Sequence, residues 1–150
     1  MPSSYYTDFF GIQALADTTR EKIKRDFVPR HAEVAGEDEH TLTFLDLNPW
    51  TRGHAVVIPR RHSKNLYEIE DVDLERTMVA AKRLAIQMKE RLGCDGINLL
   101  NSCEAPAWQT IFHLHVHVIP RYEDDPLQLP TRPQRAEAED LAKVAAEIRG

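Results

Sequence analysis

Short apolar runs separated by turn-forming clusters fill most of the chain, and one long stretch of helical period interrupts them. His31–Ala35 and Thr41–Asp46 read as two strands joined by the turn Gly36-Glu37-Asp38-Glu39. His54–Pro59 is almost wholly apolar and predicts a central strand, with Pro59-Arg60-Arg61-His62 as its exit. Over Asp71–Gly93, Leu74, Met78, Ala81, Leu84, Ala85, Met88 and Leu92 recur at steps of three and four, the stripe of an amphipathic helix. Asp71 or Asp73 supplies its N-cap and Gly93 its stop. A fourth strand follows at Ile97–Asn101, and the loop Ser102–Ala107 leads towards a fifth at Phe112–Arg121. Beyond Tyr122 a Pro-rich stretch precedes a closing amphipathic helix, Ala136–Arg149, carried by Leu141, Val144 and Ile148. Near the start, Asp17 or Thr18 caps a short helix through Arg25, closed by Pro29. Tyr5, Tyr6, Phe9 and Phe10 are expected to pack on the body or on a partner chain. The sum is one α+β domain over residues 1–150, with about five antiparallel strands, one long helix and a C-terminal helix. Its core is expected at about 31–122, with segments 1–30 and 123–150 packed on it.

The fifth strand carries the chemistry. His113, His115 and His117 alternate with Phe112, Leu114, Val116 and Val118. Successive strand side chains point to opposite faces, so extension lines up three imidazoles opposite an apolar ladder. A helix would scatter them. Neutral imidazole offers one donor and one lone pair near neutral pH, so such a row suits a nucleophile, a proton shuttle or a metal site. His54, inside an apolar run, reads as a packed structural histidine; His31 and His40 read as solvent-facing.

Composition narrows the setting. The 150 residues are 42 % hydrophobic and 29 % charged, as in a soluble globular domain. A net charge of −5 without a basic block argues against binding DNA or RNA through phosphate neutralisation. No apolar run reaches the length of a membrane span, and residues 1–4 start no signal peptide. Cys94 and Cys103 form no metal-binding or disulfide framework, which points to a reducing, cytoplasmic setting.

His113–Ile119 resembles the signature of the histidine triad (HIT) superfamily, His-φ-His-φ-His-φ-φ with φ apolar. The likeness extends to Trp108-Gln109-Thr110-Ile111, to Phe44–Pro49 and to Gly53–His62, covering about residues 37–122. The resemblance implies a HIT-like fold that pairs as a homodimer. It also implies a bacterial-type nucleotide hydrolase or nucleotidyltransferase, of phosphoramidase or dinucleoside polyphosphate hydrolase type. Its substrate would be a purine nucleoside 5′-phosphoryl ester, amidate or anhydride. His115 would attack the α-phosphorus and form a nucleotidyl-histidine intermediate. His117 would contact the phosphate, His113 would orient the ring, and His62 would be the fourth active-site histidine. Asp46 would hold the ribose, Phe44 and Leu47 would line the base slot, Gln109 and Thr110 would bridge to the phosphate and leaving group, and Asn101 would make a further polar contact. Trp108 replaces a glycine frequent in that family and would narrow the leaving-group side or stack on it. Many family members open with a zinc-binding cysteine pair, which is missing here, and the reaction needs neither metal nor cofactor.

Two other readings compete. A nucleotide-sensing module would use the same pocket without turnover. A zinc or iron protein would ligate its metal through His62, His113, His115 and His117, although no carboxylate or thiolate stands in the histidine strand.

Overall fold

Thr41-Leu42-Thr43-Phe44-Leu45 and Ala55-Val56-Val57-Ile58-Pro59 are β-branched or apolar at nearly every position, and they pair as the middle of one sheet. The computed structural model describes residues 27–128 and 131–150. Within them the strands are β1 (Val34–Glu37), β2 (Thr41–Leu45), β3 (Ala55–Pro59), β4 (Gly96–Leu100) and β5 (Val116–Arg121). They form a five-stranded sheet in the order β1-β2-β3-β5-β4, with every neighbouring pair antiparallel. Helix α1 (Asp71–Leu92) crosses it, and α2 (Ala138–Arg149) closes the chain. This is the α+β architecture expected. No helix among the described residues is long and apolar enough to cross a membrane. The expected N-terminal helix and aromatic cluster lie outside the described residues.

The sheet has two dressed faces. On one, Ala55, Val57, Leu114, Val116 and Val118 pack with Ala81, Leu84 and Met88 of α1. On the other, Leu42, Phe44, Val56 and Ile58 pack with Phe27. The two clusters follow the strand period, because Ala55 and Val57 point opposite to Val56 and Ile58. Leu114, Val116 and Val118 therefore form the apolar ladder expected of the histidine segment, but Phe112 leaves it. Phe112 is exposed and lies beneath the Lys64 ammonium.

Several boundaries move for physical reasons. β1 begins at Val34, not His31, and runs through Gly36 and Glu37, the start of the expected turn. The reversal is made instead by Asp38, whose Oδ1 accepts from the His40 N–H at 2.8 Å and the Thr41 N–H at 2.7 Å. In α1 the N-cap is Glu70, without a side-chain cap bond. Asp73 is spent elsewhere: its Oδ2 accepts from Arg61 Nε at 2.6 Å. Met78 faces solvent, and Thr77 is buried in its place, its hydroxyl donating to the Asp73 carbonyl at 2.7 Å. Gly93 ends the helix in the left-handed conformation, at φ 67°, as expected. After β5, Arg121 clasps Asp125 and the Leu127 carbonyl, and the Tyr122 hydroxyl donates to the Arg52 carbonyl. The tail is thus tied to the body through Leu127. In α2 no residue is buried, and Leu141, Val144 and Ile148 are exposed in the single chain.

Candidate active site

The histidine row sits where β3 and β5 meet. Regular pairing starts only at Val116, with Val56 opposite His117 and Val57 opposite Val116. His113 and His115 lie in the approach to the strand, which keeps its alternation because the Leu114 N–H donates to the Ser63 carbonyl at 2.7 Å. Gly53 turns the chain into β3 at φ 90°, and a Cβ there would meet Leu92 Cδ1 at 2.5 Å. Only glycine fits that corner. It delivers His54, 1 % exposed, against the last histidine of the row.

The hydrogen bonds assign the tautomers. The His115 ring has Nδ1 2.8 Å from the His113 carbonyl, which can only accept, so Nδ1 carries the proton and Nε2 keeps its lone pair. The Trp50 N–H donates to His54 Nδ1 at 3.1 Å, so the His54 proton sits on Nε2. That N–H points at His117 Nδ1, 2.9 Å away, and the His117 proton is therefore on Nε2. His113 Nε2 donates to the Pro59 carbonyl at 2.9 Å, and its Nδ1 accepts from His62 Nδ1 at 2.9 Å. One relay thus presents a free lone pair on His115, and a second presents an N–H on His117. Asp46 Oδ2 stands 3.8 Å from His54 Nε2 and 3.9 Å from His117 Nδ1.

These assignments require neutral rings, and the surroundings keep them neutral. Burial pushes His113 down to about 3 and His117 down to about 4, the latter helped by its neighbours His115 and His54. His115 is also lowered by burial, against its hydrogen bond to the His113 carbonyl and the Asp46 charge. Burial lowers His54 and His62 too, opposed by Asp46 and Glu68 respectively.

The expected site residues divide. His113, His115 and His117 come together as a row, with His115 and His117 edge to face at 5.0 Å. His62 meets His113, and Phe27 stacks on both rings at 5.2 and 4.2 Å. The histidine that reaches His117 is His54, a packed histidine as expected but one with a hydrogen-bonding task. Asp46 is half-buried beside this pair, and its Oδ1 accepts from the Asn48 N–H at 2.8 Å. Phe44 is core, while Leu47 is exposed. Asn101 donates to the His115 carbonyl at 2.8 Å and so braces the main chain of the histidine row. Gln109, expected at the phosphate, is buried with its amide committed. Its Oε1 accepts from the Glu104 N–H, and its Nε2 donates to the Lys64 and Ile111 carbonyls. It shapes the 104–111 loop. Thr110 is exposed, as is Trp108, which sits at φ 71°. Trp50 escaped the sequence reading. Its ring stacks on His117 at 5.9 Å and 12°, and tilts onto His54 at 5.3 Å. The one cue was an aromatic residue in a Pro-Trp-Thr-Arg-Gly turn beside His54.

This row of histidines on an antiparallel sheet agrees with the comparisons. The HIT domain model matches residues 29–124. The chain belongs to the HIT family. A HIT family protein from Bacillus subtilis of known crystal structure superposes with a TM-score of 0.72 at 33 % identity, covering 79 % of this chain and 86 % of that one. A zinc-bound histidine triad family protein from Mycobacterium smegmatis gives 0.61 at 35 % identity, over 77 % and 85 % of the two chains. The adenosine 5′-monophosphoramidase of Saccharomyces cerevisiae is 35 % identical over 113 residues, which span 75 % of this chain and 69 % of that enzyme. HIT membership accounts for the sheet, the long helix and the row of histidines at its centre.

Proposed function

We propose that this HIT protein hydrolyses or transfers the nucleotidyl group of a purine nucleoside 5′-phosphoryl amidate, ester or anhydride through His115. The observation that carries the reading is the tautomer of His115: its Nδ1–H is bound to the His113 carbonyl, and its Nε2 lone pair is free. Nε2 bonds to the α-phosphorus as the bond to the leaving group breaks. Water then displaces the imidazole and releases the nucleoside monophosphate. The His117 N–H, set by His54, stabilises charge on the phosphoryl oxygens. Asp46, beside His54 and His117, and the exposed Leu47 would meet the nucleoside. The named activity of the yeast relative supports an amidate as the first substrate to try.

Zinc does not fit the described donor set. Cys94 is buried in the core under α1, and the one described cluster of three possible ligands is Asp46, His54 and His117. Within that cluster the Trp50 N–H holds the His54 proton on Nε2, the atom that would have to ligate.

A panel of adenosine phosphoramidates, dinucleoside polyphosphates and acyl adenylates, assayed for released AMP, tests the proposal. Turnover of at least one class is expected. AMP binding without turnover of any would leave the sensing module in its place. With every ring in the row lowered, activity should hold as pH falls from 8 to 6.5 and fail only in more acidic solution, where His115 protonates. An acid limb centred at pH 6.5 or above would contradict the buried neutral nucleophile.

The protein should also be a homodimer. β4 is an edge strand with Leu99 exposed, and α1 exposes Val72, Val79 and Ile86 at seven-residue steps. Unpaired edges of this kind are covered in stable proteins. Light scattering is expected to give twice the 17.2 kDa chain mass at micromolar concentration, and a monomer would remove the claim.

A further inference from the structure

The indole of Trp50 is held in place but not covered. It is 46 % exposed, yet its ring lies nearly parallel to His117 and is tilted by 52° against His54. The turn that carries it is short and braced. Asp46 Oδ1 accepts from the Asn48 N–H, Pro49 fixes the next φ, and the Trp50 N–H is bound to His54. Nearly half of a large apolar ring is thus left open to water, and a planar ligand that covered it would gain by burying that area. A rigid, half-open aromatic face costs little entropy when a ligand stacks on it.

We propose that Trp50 is a substrate-contacting, specificity-determining residue whose indole stacks on a planar ring of the substrate beside His117. The inference rests on the nucleotidyl reading above and sharpens it: preferred substrates carry such a ring within reach of the reacting phosphorus. Two sources supply that chemistry, the nucleobase and an aromatic leaving group.

The experiment uses Trp108→Phe protein, in which Trp50 is the one remaining tryptophan of two, and takes that protein as its reference. Trp50 fluorescence is titrated with AMP, with ribose 5-phosphate, and, in a His115→Asn background that spares the substrate, with adenosine phosphoramidates of an aromatic and an aliphatic amine. Saturable quenching by AMP but not by ribose 5-phosphate assigns the nucleobase. Quenching by the aromatic amidate alone assigns the leaving group. Either result supports the platform. In kinetics, Trp50→Ala keeps the main-chain N–H that sets His54, so kcat should stay within about twofold. KM for ring-bearing substrates should rise about tenfold, on the scale of one lost base–aromatic stack, and Trp50→Phe should recover most of it. The platform is overturned if AMP and both amidates leave Trp50 fluorescence unchanged, or if Trp50→Ala lowers kcat with KM unaltered. Should no substrate turn over, the nucleotidyl reading fails by itself, and the titrations still decide what Trp50 does.

Discussion

His115→Asn is expected to abolish turnover while leaving the protein folded and able to bind nucleotide. The row is held from outside the substituted ring: Leu114, Val116 and Val118 stay in the α1-facing core, and Asn101 still donates to the main-chain carbonyl of residue 115. An asparagine amide can take over the bond to the His113 carbonyl. What disappears is the Nε2 lone pair. AMP affinity should change by no more than about tenfold, roughly 1.4 kcal/mol. Turnover should drop by at least about three orders of magnitude, on the scale seen when a covalent nucleophile is removed. Wild-type protein quenched with alkaline denaturant during turnover should also carry a nucleotidyl group that later acid treatment removes, and the variant should carry none. A variant that cleaves a good substrate at the wild-type rate would mean that the row binds and does not attack.

The histidine row, the central apolar strand and the long helix were legible because each is a local pattern. Period two in His113, His115 and His117 survives even though regular strand pairing begins only at Val116, since the alternation of side chains does not need the ladder. What was not legible depends on register and on competition between partners. The pairing of Val56 with His117 brings the neighbouring His54 onto the row, and no spacing along the chain encodes that pairing. His54 sits in an apolar run and is 1 % exposed, so burial and a functional hydrogen bond look alike in the sequence. Asp73 had the position of a cap but was taken by Arg61, a partner twelve residues away in the chain. Gln109 had the identity of a ligand contact, yet its amide closes a loop whose Glu104 and Trp108 both adopt positive φ. The apolar stripe of α1 was right in period but included Met78, because a helix surface wider than its buried strip still accepts hydrophobic side chains.

His54 and His62 give the second large contrast. His54→Ala removes the donor to His117 Nδ1 and the acceptor of the Trp50 N–H together. His117 is then free to carry its proton on Nδ1, which leaves Nε2 with a lone pair where the proposed mechanism needs an N–H for the phosphoryl oxygens. The expected loss in kcat is about 10² to 10³, the usual cost of deleting one transition-state donor, with KM little changed. Glutamine can accept from Trp50 through its oxygen and donate to His117 through its nitrogen, so His54→Gln should recover about tenfold of that loss. His62→Ala acts elsewhere. It removes the donor to His113 Nδ1 and the lower ring of the Phe27 stack, so its main effect should be a lower melting temperature. Its kcat should stay within about tenfold of wild type, because His113 keeps its bond to the Pro59 carbonyl and still offers its own carbonyl to His115. Steady-state kinetics and thermal melts of the three variants separate the roles. Near wild-type turnover in His54→Ala, or an equal collapse in His62→Ala, would reverse the assignment and make His62 the fourth histidine of the chemistry.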